Sequence, residues 1–163
     1  MTAAVLSIGS NLGDRLATLQ GAVDSFRPWV FSVSPVYETA PWGPVPQGDY
    51  LNAIVLVDDP SAGAADWLTR AHTAENAAGR TREVRWGPRT LDVDIVTVGD
   101  LTSDDPTLTL PHPRAAERAF VLVPWLEVDP AALLGGTSVK QLVHDLDPAD
   151  VAGARLRADL VLT

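Results

Sequence analysis

Arg80, Arg82, Arg85 and Arg89 run directly into Asp92 and Asp94. Four of the chain's twelve basic residues therefore sit within ten positions, just ahead of a D-x-D pair. From Leu91 onward the residues alternate: Leu91, Val93 and Ile95 point one way, Asp92 and Asp94 the other. Two residues of strand advance the chain by roughly 6.5–7 Å, so the two carboxylates can converge on one hard cation or bridge two. Left alone at about 6 Å they would repel by roughly 3 kcal/mol at an effective dielectric near 20. A divalent cation reverses that sign. Oxygen-only ligands suit magnesium, which takes one or two carboxylates together with waters and substrate phosphates. Clustered guanidinium groups beside such a pair are what a polyphosphate needs. The plain alternative is a solvated outer strand face whose Asp and Arg residues pair with one another.

The elements that must hold these groups can be read from periodicity. Ala3 to Ile8 reads as a buried strand, and Asp14 as the N-cap of a helix with Leu16, Leu19, Val23 and Phe26 on one face, ended by Pro28. Val30 to Glu38 reads as a second strand. Thr39 to Gly48 is too rich in proline for helix or sheet. Asp49 to Val57 reads as a third strand, with Tyr50, Asn52, Ile54 and Leu56 on one face. Ser61 is expected to cap a second helix that carries Ala64, Leu68, Ala71, Glu75 and Ala78 and stops at Gly79. The Asp92 segment is the fourth strand. This order, β-α-β-β-α-β, predicts a ferredoxin-like α+β fold with an antiparallel sheet and both helices on one face. The Asp92 face must then be the other one, since helices would bury two unpaired charges. The Tyr50–Asn52 face is expected to be open with it. Beyond Gly99 the pattern weakens. Thr107 to Leu110 reads as a short strand, Arg114 to Trp125 as a helix broken at Pro124, Leu142 as part of a short helix, and Arg155 to Leu162 as an edge strand or a frayed tail of a C-terminal extension.

At 163 residues and 46% apolar content the chain fits one globular domain, 1–163. The absence of cysteine rules out thiolate and disulfide chemistry and suits a reducing compartment. A net charge of −9 argues against a nucleic-acid surface. With no apolar stretch long enough to span a membrane, a cytoplasmic location and no membrane partner are expected. A monomer is expected.

The run Arg85-Trp86-Gly87-Pro88-Arg89-Thr90-Leu91-Asp92-Val93-Asp94-Ile95 resembles the signature of the 6-hydroxymethyl-7,8-dihydropterin pyrophosphokinase family of folate biosynthesis. Ile8-Gly9-Ser10-Asn11-Leu12-Gly13 is similar to that family's start. Tyr37-Glu38-Thr39-Ala40-Pro41 and Asp49-Tyr50-Leu51-Asn52-Ala53 resemble its central segment. Leu110-Pro111-His112-Pro113-Arg114 and Arg118-Ala119-Phe120 resemble its later part. The family moves a pyrophosphoryl group from ATP to the pterin hydroxymethyl and releases AMP. The resemblance implies that Asp92 and Asp94 hold two magnesium ions against the triphosphate and that Arg80 and Arg89 grip the phosphates. It places Glu75, Arg85, Trp86, His112 and Arg118 on the ATP side. For the pterin it implies a sandwich between Tyr50 and Phe120, recognition by Asn52, and contacts around Thr39, Ala40 and Trp42. Pro113 stands where the family often has an aromatic, so a ring contact to the nucleotide is lost there. A flat neutral bicycle suits aromatic faces, and an amide supplies the donor and acceptor its edge requires. Two other classes remain: another magnesium-dependent phosphotransferase or nucleotidyltransferase using the same Asp pair, and a ferredoxin-like module that binds a small molecule without chemistry.

Overall fold

A computed structural model describes residues 3–41, 43–79 and 90–163. Its elements run β1 (Ala3–Ser10), α1 (Arg15–Ser25), β2 (Val30–Val33), β3 (Tyr37–Thr39), β4 (Tyr50–Asp58), α2 (Ala64–Ala77), β5 (Asp92–Val98), α3 (Ala119–Val128), β6 (Leu133–Leu134), β7 (Thr137–Ser138), α4 (Val139–Asp145), α5 (Pro148–Gly153) and β8 (Arg155–Leu156). The sheet is antiparallel throughout, in the order β5-β1-β4-β3-β8, with β2 also paired to β4. This is the expected ferredoxin-like order.

The first helix starts where the sequence places it: the Asp14 carboxylate accepts from the Ala17 N–H at 3.1 Å. The second does not start at Ser61. Its N-cap is Gly63, whose N–H donates to Asp66 at 2.8 Å, while the Ser61 hydroxyl donates to Asp59 at 2.7 Å. Gly79 follows the end of α2 with φ +72°, the left-handed C′ residue the sequence calls for.

The expected strand Val30–Glu38 is two short strands, because Pro35 has no N–H to give the ladder. Ser34 bridges the gap: its N–H donates to the Ile54 carbonyl at 2.9 Å and its hydroxyl accepts from the Ile54 N–H at 2.8 Å. Thr107–Leu110 forms no strand, only an isolated bridge between Ser103 and Leu110.

Helices α1 and α2 pack on one face, over Leu6, Ile8, Leu51, Ala53, Val55, Val93 and Ile95. The opposite face is not open along its length. Helix α3 lies across it and, with α4 and the β6–β7 hairpin, buries Ile54, Leu56 and Val96 beneath Leu122 and Trp125. Pro124 sits inside α3 and does not break it. Burial of Val121, Leu122 and Trp125 against the sheet offsets the lost hydrogen bond. Three layers result: helices, sheet, then a shorter cover that leaves one end of the second face uncapped by α3.

The C-terminal segment is not frayed. Strand β8 extends the sheet beside β3, and the Arg157 N–H donates to the Val36 carbonyl at 2.8 Å. Glu38 gathers three cations there, accepting from Arg15 and from Arg157, the latter at 3.0 Å, with Arg155 at 3.8 Å. The Arg15 hydrogen bond, aided by Arg157, holds the Glu38 carboxyl below its ordinary range. Arg155 reaches Asp49 at 2.9 Å. No helix among the described residues is long and apolar enough to cross a membrane.

Candidate active site

Strand register builds the site. Gly9 lies opposite Asn52 on β4 and opposite Asp92 on β5. Ser7 lies opposite Ile54 and Asp94. Directly opposed residues point to the same face, so Asn52, Gly9 and Asp92 form one row across three strands, with Asp94 one step along. Two strand spacings separate the ends of that row, about 9.5 Å. This face is the one turned away from α1 and α2, as the charges require.

The carboxylates are placed for a cation. Asp92 and Asp94 are both half-buried, on one face of an edge strand. Arg118, the residue preceding α3, brings a guanidinium nitrogen to 3.6 Å from Asp94 Oδ2. The same guanidinium lies 5.3 Å from the Phe120 ring centroid, so one side chain links the acidic pair to the aromatic that follows. Among the described residues no group of three or more His, Cys, Asp or Glu side chains gathers around a point that could hold a metal. An ion on this pair would complete its shell with water and phosphate oxygens, the habit of magnesium.

His112 stands nearby. Its N–H donates to the Val96 carbonyl at 2.8 Å, and its ring Nδ1 accepts from the Arg114 N–H at 3.2 Å. That acceptor role leaves the ring proton on Nε2. Burial pushes its pKa below the ordinary value; Asp94 opposes the shift, and Arg118 and Arg114 add to it. Glu75, expected on the ATP side, packs behind β5. It is 4% exposed, and its Oε2 accepts from the Val93 N–H at 3.0 Å. Val93 is the residue between the two aspartates, so this carboxylate ties α2 to the outer edge of β5.

On the other side of Gly9, Asn52 meets Thr39, and Thr39, Ala40 and Phe120 line one cavity. Asn52 is 2% exposed, and its Nδ2 donates to the Thr39 hydroxyl at 2.8 Å. That bond fixes which way the amide faces. A cavity of about 350 Å³ opens beyond Thr39, lined by Thr39, Ala40, Pro41, Glu117, Ala119 and Phe120, and by Ala149, Asp150 and Gly153 of α5. Tyr50, half-buried at the start of β4 and opposite Thr39, does not line that cavity. The loop before it is clasped to β1: the Asn11 side chain donates to Gln47 at 2.6 Å and to the Gly48 carbonyl at 3.0 Å. Trp42, Arg80, Arg85, Trp86 and Arg89 lie outside the described residues.

The face that carries the acid pair thus also carries an oriented amide, whose partner Thr39 lines a cavity. Comparison with known proteins gives that pairing a family. Residues 5–130 match the model of 7,8-dihydro-6-hydroxymethylpterin-pyrophosphokinase. The chain belongs to this family. It is 47% identical over 169 residues to the 2-amino-4-hydroxy-6-hydroxymethyldihydropteridine pyrophosphokinase of Mycobacterium tuberculosis, covering 96% of this chain and 90% of that one. The Mycobacterium leprae enzyme of the same name is 50% identical over 170 residues, covering 96% and 89%. That of Methylorubrum extorquens is 40% identical over 155 residues, covering 93% and 98%. A crystal structure of wild-type Plasmodium falciparum HPPK-DHPS superimposes with a TM-score of 0.66 at 14% identity, over 86% of this chain and 44% of that longer one. That likeness supports the fold.

The Asn11 clasp, the Thr39–Asn52 bond and the α5 wall were not foreseen from the sequence. Their partners lie 37, 13 and about 110 residues apart, the last figure being the separation of Thr39 and Ala149. Only Asn52 carried a signal of its own, as a polar residue in an apolar strand that must find partners.

Proposed function

We propose that this chain carries out its family's reaction on the row Asn52–Gly9–Asp92: pyrophosphoryl transfer from ATP to the hydroxymethyl group of 6-hydroxymethyl-7,8-dihydropterin, in folate biosynthesis. The pterin hydroxyl oxygen bonds to the β-phosphorus, the bridge to the α-phosphate breaks, and AMP leaves. The observation that carries this reading is the register, which sets the oriented amide and the acid pair on one face, one strand apart on either side of Gly9.

Each part has a physical task. Asn52, oriented by Thr39, offers its amide oxygen and one remaining N–H to the amide and amino edge of the pterin. Tyr50 and Phe120 supply the aromatic faces, and backbone groups of Thr39, Ala40 and Trp42 complete the edge. Asp92 and Asp94 hold two magnesium ions, whose chemistry when bound is to neutralise the phosphates and acidify the hydroxyl. Arg80 and Arg89 grip the triphosphate bidentately, and Arg85, Trp86, His112 and Arg118 hold the nucleotide. Glu75 holds the nucleotide with them, and its hydrogen bond from the Val93 N–H ties it to β5. The whole chain, 1–163, acts as one domain and as a monomer, in the cytoplasm, with small-molecule substrates and no nucleic-acid or membrane partner.

Incubation with ATP, magnesium and the hydroxymethyl dihydropterin, followed by nucleotide analysis, tests the reading. AMP together with pterin diphosphate is expected. ADP would indicate an ordinary kinase, inorganic pyrophosphate a nucleotidyl transfer, and ligand binding with no ATP consumed a non-catalytic module.

A further inference from the structure

Between the two halves of the site lies a residue with no side chain. Gly9 is the midpoint of the row, opposite Asn52 on one side and Asp92 on the other. A substrate that touches both ends of the row must pass over it. A methyl group added at Gly9 would meet Asn52 Oδ1 at 3.2 Å, the Tyr50 ring at Cδ1 at 3.4 Å and the Leu51 carbonyl at 3.7 Å. Two of those three atoms belong to side chains given to pterin recognition. The two differ in freedom. The Asn52 amide is buried and its nitrogen is already committed to Thr39 at 2.8 Å, so its oxygen has little room to retreat. Tyr50 is half-exposed at the strand's end. Nor is Gly9 there for the backbone's sake: it lies within β1, paired on both sides, and is not among the glycines with positive φ.

We infer that Gly9 is a specificity-determining residue for the pterin. Its missing side chain leaves the site floor at backbone level where the ring reaches toward the phosphates, and leaves the amide oxygen of Asn52 unobstructed. This rests on the assignment of Asn52 and Tyr50 to the pterin. The geometry sets the two substrates apart: the three atoms nearest an added methyl all belong to β4, on Asn52, Tyr50 and Leu51. A substituent at this position therefore presses first on the side given to the pterin.

The test is Gly9→Ala, with three readouts: steady-state KM for each substrate, calorimetric binding of a non-hydrolysable ATP analogue with magnesium, and the Asn52 side-chain amide resonances in the free protein. The pterin KM is expected to rise about tenfold or more, since displacements of an ångström at a positioned group cost up to about a hundredfold. ATP-analogue affinity stays within about twofold, and the Asn52 amide signals move before any ligand is added. Alanine is favoured over glycine within a strand, so the variant is expected to fold with an unchanged thermal midpoint. Equal losses for both substrates, an unmoved Asn52 signal with an unchanged pterin KM, or failure of the variant to fold would each overturn the inference; the last would make Gly9 a packing requirement. A parent protein that forms no AMP would instead defeat the proposed reaction, and direct calorimetry of pterin binding to the parent and to G9A would still decide the role of Gly9.

Discussion

Thr39→Val deletes one hydroxyl and keeps the branched shape of the side chain. In the folded protein that hydroxyl accepts the Asn52 Nδ2–H at 2.8 Å, and Asn52 is 2% exposed, so no solvent can replace it. Stranding a buried donor costs about 1–3 kcal/mol. For a domain of this size each kcal/mol lowers the thermal midpoint by about 2–4 °C, so a fall of roughly 2–12 °C is expected. Catalysis should suffer selectively. Freed from its partner, the amide can rotate and exchange oxygen for nitrogen at the pterin edge, which turns a matched pair of hydrogen bonds into a mismatched one. One such bond is worth about a factor of ten in pterin KM, or about 1.4 kcal/mol. On the proposed assignment ATP touches neither group, and its KM should hold. Thermal denaturation and steady-state kinetics with each substrate varied in turn make the comparison. An unchanged midpoint with an unchanged pterin KM would refute the reasoning, because it would mean the amide orientation is set by something else.

Other perturbations give distinct signatures. Asp94→Asn under saturating magnesium should abolish AMP formation in the nucleotide assay, and near-normal turnover would remove the carboxylate pair from the mechanism. Gly21→Ala, in the middle of α1 with nothing within 4 Å of the new methyl, should raise stability by about 0.5–1 kcal/mol in urea unfolding. The Glu38 carboxyl, held below its ordinary range chiefly by Arg15, binds fewer protons folded than unfolded. Its contribution is complete above the unfolded pKa and is lost as pH falls through the folded one, so the stability gap between the parent and Glu38→Gln should shrink as pH drops below about 4.5. The His112 ring, whose pKa burial lowers, is likewise neutral when folded at a pH where the unfolded ring is protonated. Its share of stability should be full above about pH 6.5 and decline as pH falls below that, and His112→Gln should flatten that part of the profile.

Much of the architecture was legible because it is local. Alternation in Ala3–Ile8, Asp49–Val57 and Leu91–Ile95 reports a sheet with two unlike faces, and Asp14 and Gly79 mark helix ends by the chemistry of their own side chains or lack of one. The D-x-D pair pointed to the right face for the same reason. Pattern failed where a partner outside the pattern decides. Pro124 reads as a breaker in isolation, yet α3 continues through it because the sheet buries its neighbours. Ser61 looks like a cap until Asp59 takes its hydroxyl. Glu75 fits a helix stripe, and its hydrogen bond to Val93 across the fold could not be read from that stripe. The two-glycine turn Gly135–Gly136, with φ of +59° and +86°, closes the β6–β7 hairpin under α3, in a stretch that carried no readable motif.

The family match ends at residue 130, yet β8 lies far beyond it and covers the outer side of β3. Without that strip of two residues, β3 would present a bare row of amide and carbonyl groups to any passing chain, the usual template for edge-to-edge association. The late segment thus acts as a selvedge: it finishes the cloth where it would unravel or catch on a neighbour. Shortening the protein to the matched region should yield material that sticks to itself, even though the residues proposed for catalysis would all still be present.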